Sequence, residues 1–149
     1  MKKFLDVRIA LVLYKDYGDE FQTNGLPVKN LGVLKNAKAF SKAIKSAFVN
    51  GGGDREEAVY EALYFCATEF EWRKDSIKKI ILIGDAPPRS CGEKCFDFGQ
   101  VLAEISKNKI SVDCFLISDS NEKSSEMKTV KKSKATEELL KSVESLDAK

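Results

Sequence analysis

A layered α/β fold with a mostly parallel sheet is what this sequence predicts, on three observations. The short, nearly continuous apolar run "VRIALVLY" reads as a strand buried on both faces, the kind found in parallel sheets, and "IILI" reads as a four-residue apolar strand. Between them lie segments whose apolar residues recur at helical spacing. With 149 residues and 43% hydrophobic content the chain supports one ordinary core, so a single domain spanning 1–149 is expected.

The first strand runs from Val7 to Tyr14, closed by the polar "KDYGDE". A short edge strand fits within "LPVKNLG", where Pro27 lacks the N–H that a central strand needs. From Leu34 to Val49, Leu34, Ala37, Phe40, Ile44, Ala47 and Phe48 form a helical stripe, which Asn50 and Gly51 end. A second helix is predicted from Arg55 to Phe70, with Val59, Leu63, Cys66 and Phe70 along one face and Ala58, Ala62 and Phe65 broadening it. "KKIILIGDAPP" supplies a strand over Ile80 to Ile83, stopped at Gly84-Asp85 and closed by Pro87 and Pro88. A helix from Phe98 to Lys107 and a strand from Ser111 to Ile117 continue the alternation. Ser118 to Lys134 is a polar, serine- and lysine-rich stretch expected to be a flexible loop, and "ATEELLKSVESL" reads as a closing amphipathic helix.

Composition excludes several function classes. A formal charge of +2, from 25 basic and 23 acidic side chains, gives no reason to expect nucleic acid or a membrane surface as partner. Histidine is absent, which removes Ser-His and Cys-His catalysis and most catalytic zinc sites. The opening "MKKFLDVRIALVLY" imitates a signal peptide, but Asp6 and Arg8 interrupt its apolar run and no cleavage site follows; a cytoplasmic location is therefore expected.

Three stretches could carry chemistry. "VNGGGDREEAV" places Asp54 three residues before Glu57, the spacing of a capping box that starts a helix. As a phosphate cradle it lacks the Lys-Ser/Thr of a Walker loop, and its acids would repel an anion. Asp85 sits at the carboxyl end of a predicted strand, where open α/β sheets place ligands, and equally suits a turn before Ala-Pro-Pro. Cys91 and Cys95 in "CGEKC" form a candidate redox pair without C-x-x-C spacing, whereas Cys66 and Cys114 read as core residues. Trp72 after the second helix suits the bottom of the core better than an exposed binding site.

Taken in order, "VRIALVLYKDYGDEF", "GGGDREEAVYEALYFC" and "EWRKDSIKKIILIGDAPPR" resemble von Willebrand factor A domains, in particular a bacterial-type group with a GGGD-x-x-E element and a strand ending in GDAPP. The resemblance covers Val7 to Ser118, with "ELLKSVESL" similar to the family's last helix. It implies a doubly wound, Rossmann-like three-layer α/β/α fold that binds partner proteins, often through a metal-ion-dependent adhesion site. By the same resemblance, Asp54 falls at or near the glycine-loop position of that site and Asp85 matches the acid after the family's fourth strand. The D-x-S-x-S loop that supplies most of the family's ligands is not in this sequence, and neither is the central first strand that precedes it.

The resemblance thus implies a truncated domain with an incomplete site: no cofactor is expected, with Mg²⁺ at most held weakly by Asp54 and Asp85. The function expected is non-enzymatic protein–protein interaction with an unidentified protein partner. The alternatives are a Mg²⁺-dependent hydrolase using Asp85 and Asp54, or a thiol switch at Cys91 and Cys95. The missing strand would lie between Val7–Tyr14 and Ile80–Ile83. Its loss would leave polar groups unpaired at about 1 to 3 kcal/mol each if buried. Direct closure of the two flanking strands, a homodimer or a strand donated by another chain is thus expected in place of an exposed gap.

Overall fold

The structure, a computed structural model, describes residues 6–18, 22–47, 56–89 and 96–117. The glycine-rich run with Asp54, the Cys91–Cys95 loop, the predicted loop 118–134 and the predicted closing helix lie outside them. The described residues form a mixed α/β arrangement of two small sheets and three helices.

The first sheet pairs β1 (Ile9–Tyr14) with β2 (Val28–Leu34) in antiparallel fashion. Pro27 falls immediately before β2, where its missing N–H costs no ladder bond. Leu31 and Gly32 together face the single Leu11, a bulge in which Gly32 adopts φ +68°, a left-handed value glycine accepts without strain. The expectation of a doubly buried parallel strand over Val7–Tyr14 is corrected here. The run starts at Ile9, is half-exposed, and is antiparallel to its only strand neighbour among the described residues.

The second sheet pairs β3 (Lys78–Gly84) with β4 (Ile110–Leu116) in parallel, as their apolar character predicts. Ile80, Leu82, Ile110 and Val112 turn to one face and are buried. That face is covered by α2 (Val59–Thr68) and α3 (Phe98–Lys107), which bury Val59, Leu63, Ala67, Val101 and Ile105 against it. α3 matches its predicted bounds. Asp97 accepts from the backbone N–H of Gln100 at 2.8 Å while the Gln100 side chain accepts from that of Asp97 at 3.0 Å.

The capping box expected at Asp54 and Glu57 is not what starts α2. The N-cap is Ala58, and Glu57 lies before the helix in an extended bridge to Pro88. Its N–H donates to the Pro87 carbonyl at 3.0 Å, and its own carbonyl accepts from Arg89 at 2.9 Å. These bonds hold Glu57 out of helical geometry, and the helix begins at Val59 instead of the predicted Arg55.

α1 (Ala37–Ser46) is shorter than the stripe from Leu34 to Val49 suggested, because Leu34 ends β2 and Asn36 caps the helix, accepting from the Ala39 N–H at 2.9 Å. It buries no residue fully, and Ile44 is exposed, so the amphipathic pattern is present without the core it implied.

β1 and β3 run in the same direction. Arg73, just before β3, grips Asp6, just before β1, through its carboxylate and its carbonyl, the latter at 2.8 Å. At the other end the Tyr14 hydroxyl donates to the Ile83 carbonyl at 3.4 Å. The two strands nevertheless share no ladder, and the sheets remain separate. Among the described residues direct closure therefore does not occur: each end is bridged by a side chain, and no described strand lies between.

Candidate functional site

The opening between β1 and β3 is a cleft of about 1070 Å³. Its walls include Ala10, Leu11 and Leu13 of β1 and Ile81 and Ile83 of β3, and Leu63 and Cys66 of α2 also line it. Because β1 pairs only with β2, and β3 only with β4, each presents a strand edge without a strand neighbour on the cleft side among the described residues. Such an edge is a row of N–H and C=O groups ready to pair with another chain.

The cleft adjoins a sheet face that no described helix covers. Side chains alternate along a strand, so the residues that do not meet α2 and α3 point away from them. Ile81, Ile83, Phe115 and Ile117 are 57–59% exposed, and Ile83 stands opposite Phe115 in register. The Lys79–Asp113 ion pair, at 2.9 Å, is the polar counterpart on this face.

At the carboxyl end of β3 three backbone segments meet: Tyr14–Tyr17, Glu57–Glu61 and Gly84–Arg89. Asp16, only 6% exposed, receives two hydrogen bonds from the Arg89 guanidinium, one of them from Nε at 2.8 Å. This fork pairs the buried carboxylate with an opposite charge. Glu61 is 1% exposed and accepts a hydrogen bond from the Tyr17 hydroxyl at 3.1 Å. Burial raises the Glu61 carboxyl above its ordinary range, and the hydrogen bond only partly offsets that. The Tyr17 phenol is pushed up to about 12, by its own desolvation first and then by the Glu61 charge. Tyr14 also rises to about 12, from burial first and then from the negative charges of Glu57 and Asp85.

Asp85 lies where the sequence puts it, directly after β3, and is exposed. Among the described residues no group of three or more acidic, cysteine or histidine side chains is placed to hold a metal ion. Asp54, the other predicted ligand, lies outside the described residues, as do Cys91 and Cys95. Cys66 and Cys114 are free thiols packed beside the core, as their apolar surroundings predict. Burial pushes the Cys66 thiol up to about 12, far from the thiolate that redox chemistry needs. Trp72 covers the core end as expected, its Nε1–H donating to the Cys66 carbonyl at 2.7 Å.

Sequence reasoning passed over the Asp16–Arg89 and Tyr17–Glu61 pairs, whose members are 73 and 44 residues apart. Only the topology brings them together. A local signal it could have used is Asn24-Gly25, a pair suited to a tight type I′ turn; both have positive φ, and Thr23 and Leu26 exchange backbone hydrogen bonds across them.

Comparison of the chain with known protein families, with curated proteins and with solved structures gives no match. Among the described residues no helix is long and apolar enough to cross a membrane.

Proposed function

We propose that this chain is a non-enzymatic protein–protein interaction module of the von Willebrand factor A type, with an incomplete metal-ion-dependent adhesion site. The single observation that supports the reading best is the open cleft between β1 and β3, continuous with the bare face of Ile81, Ile83 and Phe115. An exposed apolar surface of this kind, bordered by strand edges that have no strand neighbour among the described residues, is what an interaction partner covers. In the three-layer, doubly wound arrangement, β1 and β3 flank the position of the absent central strand. Asp85 is then a remnant of the metal site's rim, and Mg²⁺ contributes little to binding.

The test is a photo-reactive amino acid placed at Ile83 in the full chain, irradiated in the cell extract with and without a chelator. Protein adducts that form equally in both conditions, and that unlabelled chain competes away, are the expected result. Adducts that require divalent metal, together with tight Mg²⁺ binding lost in Asp85→Ala, would replace this reading with a metal-centred one.

A further inference from the structure

We infer that the outward face of α1 is a docking surface for an anionic phospholipid membrane. From Phe21 to Gly53 the sequence holds five lysines and neither an aspartate nor a glutamate, an imbalance that the chain-wide charge of +2 conceals. Four of the five, Lys35, Lys38, Lys42 and Lys45, are exposed. Lys38, Lys42 and Lys45 follow one another at i, i+4 and i+7 along α1, so they stand in a single row, and Lys35 comes just before the Asn36 cap. None of the four forms an ion pair with a described residue, and none lines the cleft between β1 and β3. The row is therefore separate from the surface assigned to a protein partner.

A solvated helix face normally mixes signs, as α3 does where Lys107 bonds Glu104, three residues before it, at 3.0 Å. Like charges at i, i+4 repel, so the row on α1 costs the helix stability. Packing gives little in return: Phe40, Ala43 and Ala47, on the opposite side, are only half-buried, and no residue of the helix is fully buried. An external anionic surface lying along the whole row relieves that repulsion.

The kind of anion follows from the residue types. Carboxylates of an acidic peptide and phosphates of a nucleic acid are best met by arginine, whose planar fork binds two oxygens at once, and single-stranded nucleic acid also calls for aromatic side chains to stack on. Residues 21–53 contain no arginine, and α1 exposes no aromatic side chain. Lysine is a compact charge on a flexible stem, suited to a plane of headgroups with no fixed geometry, and an anionic leaflet attracts each such residue near its surface. On the flank of the row Ile44 is 49% exposed. In a helix lying on a membrane, an apolar side chain beside the lysines enters the headgroup boundary, a role that a soluble acidic partner does not require.

Co-sedimentation of the intact chain tests this with vesicles of phosphatidylcholine alone and of phosphatidylcholine with about one-third phosphatidylserine. Binding to the anionic vesicles and not to the neutral ones is expected, with release as salt is raised from about 0.1 to 0.5 M. The variant Lys38→Gln/Lys42→Gln/Lys45→Gln should bind the anionic vesicles at least about tenfold more weakly. Its urea midpoint in the absence of lipid should equal or exceed the parent's, since the repulsion is gone, and that measurement shows that the variant folds. Equal binding to neutral vesicles, no binding, or a folded triple variant that binds as the parent does would overturn the proposal. Binding of a polyglutamate peptide or of duplex DNA, lost in the triple variant while vesicles are not held, would also overturn it and give the row to an acidic protein or to nucleic acid. Cross-linking of a protein at Ile83 should be unchanged in the triple variant, so the partner-binding reading stands or falls by its own experiment.

Discussion

Tyr14 closes over Gly84: a Cβ added to Gly84 would run into the Tyr14 hydroxyl, the same group that donates to the neighbouring Ile83 carbonyl. Gly84 has no positive φ, so its role here is to leave space, not to permit an unusual backbone. Gly84→Ala should therefore displace the tyrosine and destabilise the fold by about 1 kcal/mol. Tyr14→Phe removes the obstructing oxygen, so the double variant should be less destabilised than the sum of the two single changes. Urea midpoints for the four proteins measure that coupling.

Arg89→Ala leaves the Asp16 carboxylate, 8% exposed at its side chain, without its fork of donors. A loss of about 2 to 3 kcal/mol is expected, within the range for charge-assisted hydrogen bonds. Arg89→Lys should recover only part of it, since an ammonium cannot bond both carboxylate oxygens in the same plane. Chemical denaturation of both variants decides the point; if both were as stable as the parent, the pair would be dispensable.

Glu61 makes stability depend on pH in a definite direction. Its folded-state pKa is raised by burial, so the folded protein holds this proton more tightly than the unfolded chain does. The contribution is fully present below the ordinary glutamate range and is lost as pH rises through the raised value. Glu61→Gln, which stays neutral, should gain stability relative to the parent as pH is increased from 4 to 8. Tyr17→Phe, which deletes the donor to the carboxylate, should deepen the parent's loss over the same interval. Thermal melts at steps of half a pH unit follow both trends.

The thiol of Cys66 should be inert in the folded state. With its pKa pushed up to about 12 it holds almost no thiolate at pH 8, and Cys114 is shifted in the same direction by burial and by Asp113. In a Cys91→Ser/Cys95→Ser background, reaction with a chromogenic disulfide should become at least tenfold faster on unfolding. Fast labelling of the native protein would mean that these two thiols are open to solvent.

Local chemistry made the second half of the fold legible in the sequence. α3 follows from its periodicity and from Asp97 and Gln100, and the parallel pair follows from the unbroken apolar runs at Ile80–Ile83 and in β4. Long-range bonds account for the misses. Glu57 has helical spacing relative to Asp54, yet its backbone is held by Pro87 and Arg89, some thirty residues further on. The stripe of α1 has the pattern of a buried helix, but nothing among the described residues seals over Ile44. Of the candidate site, the cleft has no local signal in the sequence. Tyr14 and Arg73 bridge its two ends with partners that no local pattern identifies.

One helix serves both halves of the molecule. Val59, Leu63 and Ala67 of α2 belong to the cluster beneath β3 and β4, whereas Ala62 and Phe65 join Val28 beneath β1 and β2. With no ladder between the sheets, α2 acts as a spacer whose side-chain volumes set how far apart the two strands stand. Bulk added at Ala62, which itself lines the cleft, would work as a shim, so the aperture can be tuned from the helix.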